Sequence, residues 1–445
     1  MINISLFEAA RAMNGTLYGE AEKNIEYVFI DSRDGENKNG LFFALKGDRI
    51  DGHIFVAEIL SKGHFAVVSD KEYFKENTIL VENTKRALGL LAAYYRKKII
   101  PNVKIIAVTG SVGKTTTKDM IYSVLSSEYK TYGTKGNRNS LTGVPLSIMD
   151  IDNSYSFAVL EAGMSESGEI AILSEMIKPD IAVITTIGTS HIEAFGSIES
   201  IAKEKFSIVK GLKQNGNLII SKDNKYIQNT AITFQKIYCG FTDEADCSAS
   251  KITEDQYGSS FKLTYNQKQS DIKLQLLGKH NIQNAMYAYV AGNICGVSEE
   301  NIIKSLYNFI PSGNRQKIYI EKDIRIIADC YNASPESMEA ALNVLSSFQG
   351  KKIAVLGDML ELGDQAEELH KNVARKAAAA ADELIFIGDN AELYKNTANK
   401  GYTFKTEDKL KSIPLIKQIS EKGSTILFKA SNRLHFEDII KELDL

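Results

Sequence analysis

Short apolar runs alternate with longer segments of helical spacing along most of the 445-residue chain. In the first hundred residues LFFAL and HFAVVS read as short buried strands, and Thr84–Lys98 carries its apolar residues at helical spacing. Pro101-Asn102 breaks that pattern and marks a join. The run Val103–Val108 then predicts a strand leading into a glycine loop, with a helix over Thr115–Ser126. Further apolar runs at Phe157–Leu160 and Ile181–Ile184 alternate with helical stretches such as Ser200–Leu212. Residues 238–277 are more polar and β-rich, which predicts a small antiparallel addition, and Asn281–Cys295 predicts a helix. The pattern resets near Pro311-Ser312-Gly313. Beyond it come IRIIAD, a helix at Glu336–Phe348, KIAVLG, a helix near Glu367–Ala380, ELIFIG, STILFKA and a closing helix.

Strand–helix alternation of this kind predicts mostly parallel sheets covered on both faces. The fold class expected is α/β in three domains: a small α/β unit over 1–100, a central P-loop sheet over 101–313 and a Rossmann-like doubly wound sheet over 314–445. The length agrees, since one core does not grow to 445 residues.

Composition narrows the class of function. A net charge of −3 gives no reason to expect nucleic acid or an anionic membrane as partner. Cys239, Cys247, Cys295 and Cys330 are scattered without a CxxC pair, so neither a zinc finger nor a disulfide framework fits, and reduced thiols are expected. The N-terminal MINISLFEAARAMNG lacks the basic-then-apolar order of a signal peptide, and no apolar run is long enough to span a bilayer. A cytoplasmic monomer is the expectation.

The chemistry concentrates in Thr109-Gly110-Ser111-Val112-Gly113-Lys114-Thr115-Thr116. Val108 stands where the general GxxxxGK[ST] loop has its first glycine, so the loop is a shortened form. The physics is unaltered: a strand ends, glycines let the backbone approach phosphate, and helix N-terminal amides face the anion. Lys114 would reach the β- and γ-phosphates of ATP, and Thr115 or Thr116 the Mg2+. Glu161 and His191 each follow an apolar strand, at the end where ligands gather in such sheets. A loop histidine read alone is more often structural than a ligand; its place at the strand end favours the ligand reading. Lys205, within Lys203-Glu204-Lys205, reads by itself as part of a solvated charged face.

TGSVGKTTTKDM, EAGMSESGEI and IGTSHIEAFGSIESIAKEK follow one another in an order that resembles the Mur ligase family, the ATP-dependent amide-forming enzymes of peptidoglycan precursor synthesis. Asp31-Ser32-Arg33, GLFFALKGD and DGHIF resemble that family's uridine-nucleotide domain, and GKHNIQNAMYA, DCYNASPESMEAAL and GDMLELG its later motifs. The last two imply UDP-N-acetylmuramoyl-tripeptide and D-alanyl-D-alanine as substrates. By the same resemblance Lys114 is the phosphate lysine and Thr115 the Mg2+-side hydroxyl. Glu161, His191 and a carbamylated Lys205 would serve two Mg2+ ions. Asn284, Arg315, Asp329, Tyr331 and Asn332 fall on nucleotide positions, and Ser32, Arg33, Lys46, Asn137 and Asn139 on substrate positions. The chain departs from the pattern at Ser140 and Thr186, where asparagine is usual, and at Ala430, where glycine is.

The implied reaction is activation of a peptide carboxylate as an acyl phosphate, followed by attack of an amine. The alternatives are a Mur-type ligase that adds another amino acid, an amide ligase acting on a folate-like substrate, and a non-catalytic ATP-binding regulator. The DSR and GLFFALKGD segments favour a uridine nucleotide over folate. The set Lys114, Glu161, His191 and Lys205 exceeds what a pure binder needs.

Overall fold

The computed structural model describes residues 2, 4–35, 37–228, 234–313 and 315–443. Besides a two-stranded pair, three sheets organise them, and each lies within one of the expected segments. The N-terminal sheet joins the five strands Thr16–Tyr18, Thr78–Leu80, Phe65–Val68, Gly40–Phe43 and Tyr27–Phe29, in that order. The central sheet has nine strands: Lys268–Leu274, Gly258–Tyr265, Cys247–Asp255, Gln235–Gly240, Asn217–Ser221, Ile181–Ile184, Lys104–Thr109, Phe157–Glu161 and Thr131–Gly133. The C-terminal sheet has six: Lys317–Glu321, Ile324–Asp329, Thr425–Lys429, Lys352–Gly357, Glu383–Ile387 and Tyr402–Phe404.

The hydrophobic runs become strands because both faces are covered. Ile105, Ile106, Ala107 and Val108 are fully buried, as are Ala182, Val183 and Ile184. The polar, β-rich stretch is not a separate sheet. Its hairpins extend the central one, with Cys247–Asp255 parallel to Gln235–Gly240 and antiparallel to Gly258–Tyr265. The edge strand Lys317–Glu321 pairs antiparallel with Ile324–Asp329 in an otherwise parallel C-terminal sheet.

The helix expected over Ser200–Leu212 needs correction. It runs Ile198–Phe206 and tightens into a 3-10 turn over Ser207–Lys210. Ser174 Oγ donates to Ile208 O and accepts from Gly211 N at 3.0 Å, which holds the chain out of the α-helical path. The helix at Thr84–Lys98 begins on Asn83, whose side chain accepts Arg86 N. Pro335–Ser347 opens on a Ser334–Ser337 capping box with proline in its first turn.

Two compact units make up the chain. The first comprises 1–109, 128–183 and 206–218; the second comprises 110–127, 184–205 and 219–445. In the first, helix Thr84–Lys98 is anchored by Tyr95 Oη donating to Ile151 O at 2.8 Å and Arg96 Nε donating to Ile177 O at 3.0 Å. In the second, helix Lys114–Ser126 packs on helix Lys279–Ile294. No helix among the described residues is long and apolar enough to cross a membrane. Cys239, Cys247 and Cys330 are buried, and Cys295 is partly buried.

Candidate active site

The glycine loop leaves the carboxyl end of Lys104–Thr109 and turns directly into helix Lys114–Ser126. Gly110 takes a φ of 152° and Gly113 a φ of 85°. A Cβ on Gly110 would lie 1.9 Å from Thr185 Oγ1, so glycine is required by space as well as by conformation. The segment after Ile181–Ile184 cradles the loop. Thr185 Oγ1 donates to Val112 O at 2.6 Å, and Ser111 N donates to Thr186 O at 2.8 Å. Gly188 N donates to Ser111 Oγ at 3.0 Å. Lys114 Nζ stays over the loop, donating to Gly110 O at 2.9 Å and Ser111 O at 3.4 Å. A strand end, two positive-φ glycines and a lysine opening a helix make a phosphate cradle.

Asn284 lies beneath this loop and is buried. Its Oδ1 accepts Thr117 Oγ1 at 3.1 Å and would be 2.8 Å from a Cβ on Gly113. Asn281 continues the polar chain to Gln316, whose main-chain N donates to Asp329 Oδ1 at 3.3 Å. Asp329 also takes Lys429 Nζ at 2.6 Å, and the same ammonium donates to Asn332 O at 3.1 Å. Arg315 stacks on Tyr331, with Cζ 3.6 Å from the ring centre. The structure thus brings Arg315, Asp329, Tyr331 and Asn332 into one neighbourhood, with Asn284 reached from it through Asn281 and Gln316.

His191 takes a left-handed φ of 66° at the start of helix Ile192–Phe195. Its Nδ1 lies 2.5 Å from Glu361 Oε2. The His191 hydrogen bond holds the Glu361 carboxyl below the usual glutamate range, with the charges of Arg433 and Lys114 adding to it. Lys205 is not on a solvated face: only 2% of it is exposed. Burial first, and the charge of Lys114 second, push its ammonium well below the ordinary lysine range, while Glu204 acts the other way.

In the first unit, Glu161 ends strand Phe157–Glu161, is 4% exposed, and accepts Asn139 Nδ2 at 2.8 Å. Asn137 O accepts Asn139 N at 2.7 Å, and Ser140 Oγ accepts Gly143 N at 3.2 Å. Arg33 grips Asp31 through Nε at 2.9 Å and a second nitrogen at 2.6 Å, which holds the Asp31 carboxyl at about 2. Ser32 follows Asp31 directly, and the main chain at Lys46 pairs antiparallel with that at Asp51 in an isolated bridge.

The comparisons with known proteins now bear on this geometry. Residues 108–292 match the Mur ligase middle domain, and residues 314–432 match the Mur ligase glutamate ligase domain. Over its whole length the chain is 37% identical to the Bacillus subtilis UDP-N-acetylmuramoyl-tripeptide--D-alanyl-D-alanine ligase, 99% of which is covered. It belongs to the Mur ligase family. Among solved structures, MurF from Acinetobacter baumannii superposes with a TM-score of 0.92 at 32% identity, over 98% of this chain and 97% of that one. MurF ligase from Thermotoga maritima, solved in complex with ADP, gives 0.86 at 26% identity, over 94% of this chain and 97% of that one.

Against the Mur ligase pattern, two departures have local accommodations. Thr186 Oγ1 accepts Asn224 Nδ2 at 3.0 Å. The methyl of Ala430 fits because Gly357 faces it without a side chain; a Cβ there would come within 2.6 Å. Sequence reasoning singled out neither Glu361 nor Lys429. Glu361 sits inside GDMLELG, and Lys429 is the lone lysine closing an apolar strand, a position that signals a buried charge with a partner.

Proposed function

We infer that this chain is an ATP-dependent ligase that joins D-alanyl-D-alanine to a UDP-N-acetylmuramoyl-tripeptide in peptidoglycan precursor synthesis. The observation that carries the reading is end-to-end similarity, at 37% identity, to a ligase of that name, with the phosphate loop intact. Residues 1–100 are assigned to the uridine nucleotide, 101–313 to ATP and 314–445 to completing the nucleotide site.

A free carboxylate is a poor acylating agent because its leaving group would be oxide. In the reaction proposed, a carboxylate oxygen of the tripeptide attacks the γ-phosphorus of ATP, the bond to the β-γ bridging oxygen breaks, and ADP leaves. The amine of D-alanyl-D-alanine then attacks the acyl phosphate carbonyl. Phosphate departs, the amine loses a proton, and an amide remains. The protein's part is positioning and charge neutralisation. Loop amides and Lys114 bind the phosphates, and Thr115 or Thr116 offers a hydroxyl beside them. Ser32, Arg33 and Lys46 are assigned to the uridine-nucleotide substrate, and Asn137 and Asn139 to its peptide end.

By donor type, Glu161, His191 and a carbamylated Lys205 would each suit Mg2+. Glu161 supplies a carboxylate, His191 has one ring nitrogen left for a ligand once Glu361 takes Nδ1, and Lys205 is buried where the neutral amine is favoured. Only the neutral amine adds to carbon dioxide, releasing a proton and leaving a carbamate anion. Bound Mg2+ would offset the charge that builds on the phosphates.

The test measures phosphate release with and without D-alanyl-D-alanine and the UDP-linked tripeptide, together with the product mass. Acceptor-dependent release with the mass of the pentapeptide is expected, and Lys114→Ala should lose it. Release that ignores the acceptor, or no release at all, overturns the reading.

A further inference from the structure

His191 and Glu361 come from distant parts of the sequence and meet within the second compact unit. Their contact is reinforced by the main chain. Glu193 N, two residues past His191, donates to Glu361 O at 3.3 Å. A Cβ on Gly363, two residues past Glu361, would already lie 3.2 Å from Glu193. Both His191 and Glu361 hold left-handed backbones, at φ 66° and 61°. Such conformations are uncommon away from glycine and persist where surrounding contacts over-determine them. The two loops are therefore fitted to each other, and the short His191–Glu361 contact is part of that fit.

A neutral imidazole has one N–H and one lone pair, and a carboxylate beside one nitrogen decides which is which. Glu361 accepts only, so it selects the Nδ1–H tautomer and places the lone pair on Nε2. We propose that Glu361 is a positioning residue: it fixes the tautomer and aim of His191 and thereby presents Nε2 as the nitrogen that binds the divalent cation of the ATP site. This rests on the ligase reading above, which puts His191 among the cation's ligands. Glu361 follows strand Lys352–Gly357 of the C-terminal sheet, so the ligand is oriented only when this segment is seated against His191.

The experiment uses the full chain, with Mn2+ as probe and a non-hydrolysable ATP analogue present. Mn2+ affinity is read by electron paramagnetic resonance, and the His191 tautomer by nitrogen-15 resonances of labelled histidine. In Glu361→Ala the Mn2+ dissociation constant should rise by about 10–100-fold, and the Nδ1–H form should lose its dominance. Glu361→Gln should recover part of the affinity, because its amide oxygen still accepts the proton. On a His191→Ala background, Glu361→Ala should change Mn2+ binding no further. Wild-type affinity or an unchanged tautomer in Glu361→Ala overturns the inference, as does an equal loss on the His191→Ala background. The side chain of Glu361 is 61% exposed, so these variants should fold, and a melting midpoint confirms it. Product formation by the wild type is scored separately. Its absence sinks the ligase reading, whereas product with an unaffected Glu361→Ala sinks only this inference.

Discussion

Lys429 Nζ lies 2.6 Å from Asp329 Oδ2, and the lysine is almost wholly buried, at 2% side-chain exposure against 21% for the aspartate. A buried ammonium is tolerated when a partner and further acceptors surround it, and Asn332 O supplies the second contact. The pair fixes both ends of a segment assigned to the nucleotide.

Breaking one member strands the other. Asp329→Asn should lower unfolding stability by roughly 3–5 kcal/mol, because it leaves the lysine charge buried without its counter-ion. Lys429→Met combined with Asp329→Asn should cost less than Asp329→Asn alone. Urea titrations of Asp329→Asn, Lys429→Met and the double variant measure this. Additive losses would mean that the two side chains do not act as a pair.

At Gly110 the expectation concerns binding. An alanine there meets Thr185 Oγ1, the hydroxyl that holds Val112 O, and must also adopt a φ near 152°. Strain of this kind is on the order of 1–3 kcal/mol, so Gly110→Ala should weaken an ATP analogue by about tenfold or more in calorimetry. Gly423 also has a positive φ but nothing within 4 Å of its would-be Cβ, and Gly423→Ala should bind the analogue as the wild type does. Equal affinities for all three proteins would remove the steric argument.

Much of this architecture was legible in the sequence because the strands are covered on both faces. VKIIAV and IAVI are continuous apolar runs for that reason, and their bounds agree with the structure to within a residue. Elements with weaker contrast were not legible. Lys317–Glu321 is a half-exposed edge strand, and over the four residues Ser207–Lys210 a 3-10 turn and an α-helix have nearly the same spacing. The loop 109–116 announced itself because its chemistry is local. Lys205 did not: a lysine between Glu204 and Phe206 reads as solvent-facing, and only tertiary packing buries it. The His191–Glu361 contact is likewise a product of the fold, since neither flanking segment carries a pattern that points to the other.

His370 gives a pH dependence beside the segment that carries Glu361. It is fully buried; Nδ1 meets Ala366 O at 2.6 Å and Nε2 accepts Met359 N at 3.2 Å, so the ring is seated neutral. Burial lowers its proton affinity below the ordinary histidine value of 6.5. The unfolded chain therefore binds the proton first as pH falls. The stabilisation from a neutral His370 is complete above 6.5 and is lost as pH drops from there through the folded-state value. Urea stability measured from pH 8 to 5 should decline on the acid side, and His370→Gln should show a shallower decline. A steeper or unchanged acid slope in that variant would falsify the assignment.

Lys205 carries the last prediction. Its amine is buried, and both burial and the charge of Lys114 disfavour the ammonium, the condition under which the nitrogen lone pair is available to carbon dioxide. Addition forms an N–C bond, expels a proton and converts the neutral amine into an anionic carbamate. If that anion is what the site uses, Lys205→Ala should reduce turnover by about 100-fold or more. Acetate or formate should restore part of it, because a small carboxylate can occupy the space left by the missing side chain. Chloride at equal ionic strength separates this from a salt effect, and wild-type enzyme should show no gain with either acid. Full turnover by Lys205→Ala without additives would leave the lysine a packing residue. A dead variant that no carboxylate rescues would show that the amine, not a carbamate, is what the site requires.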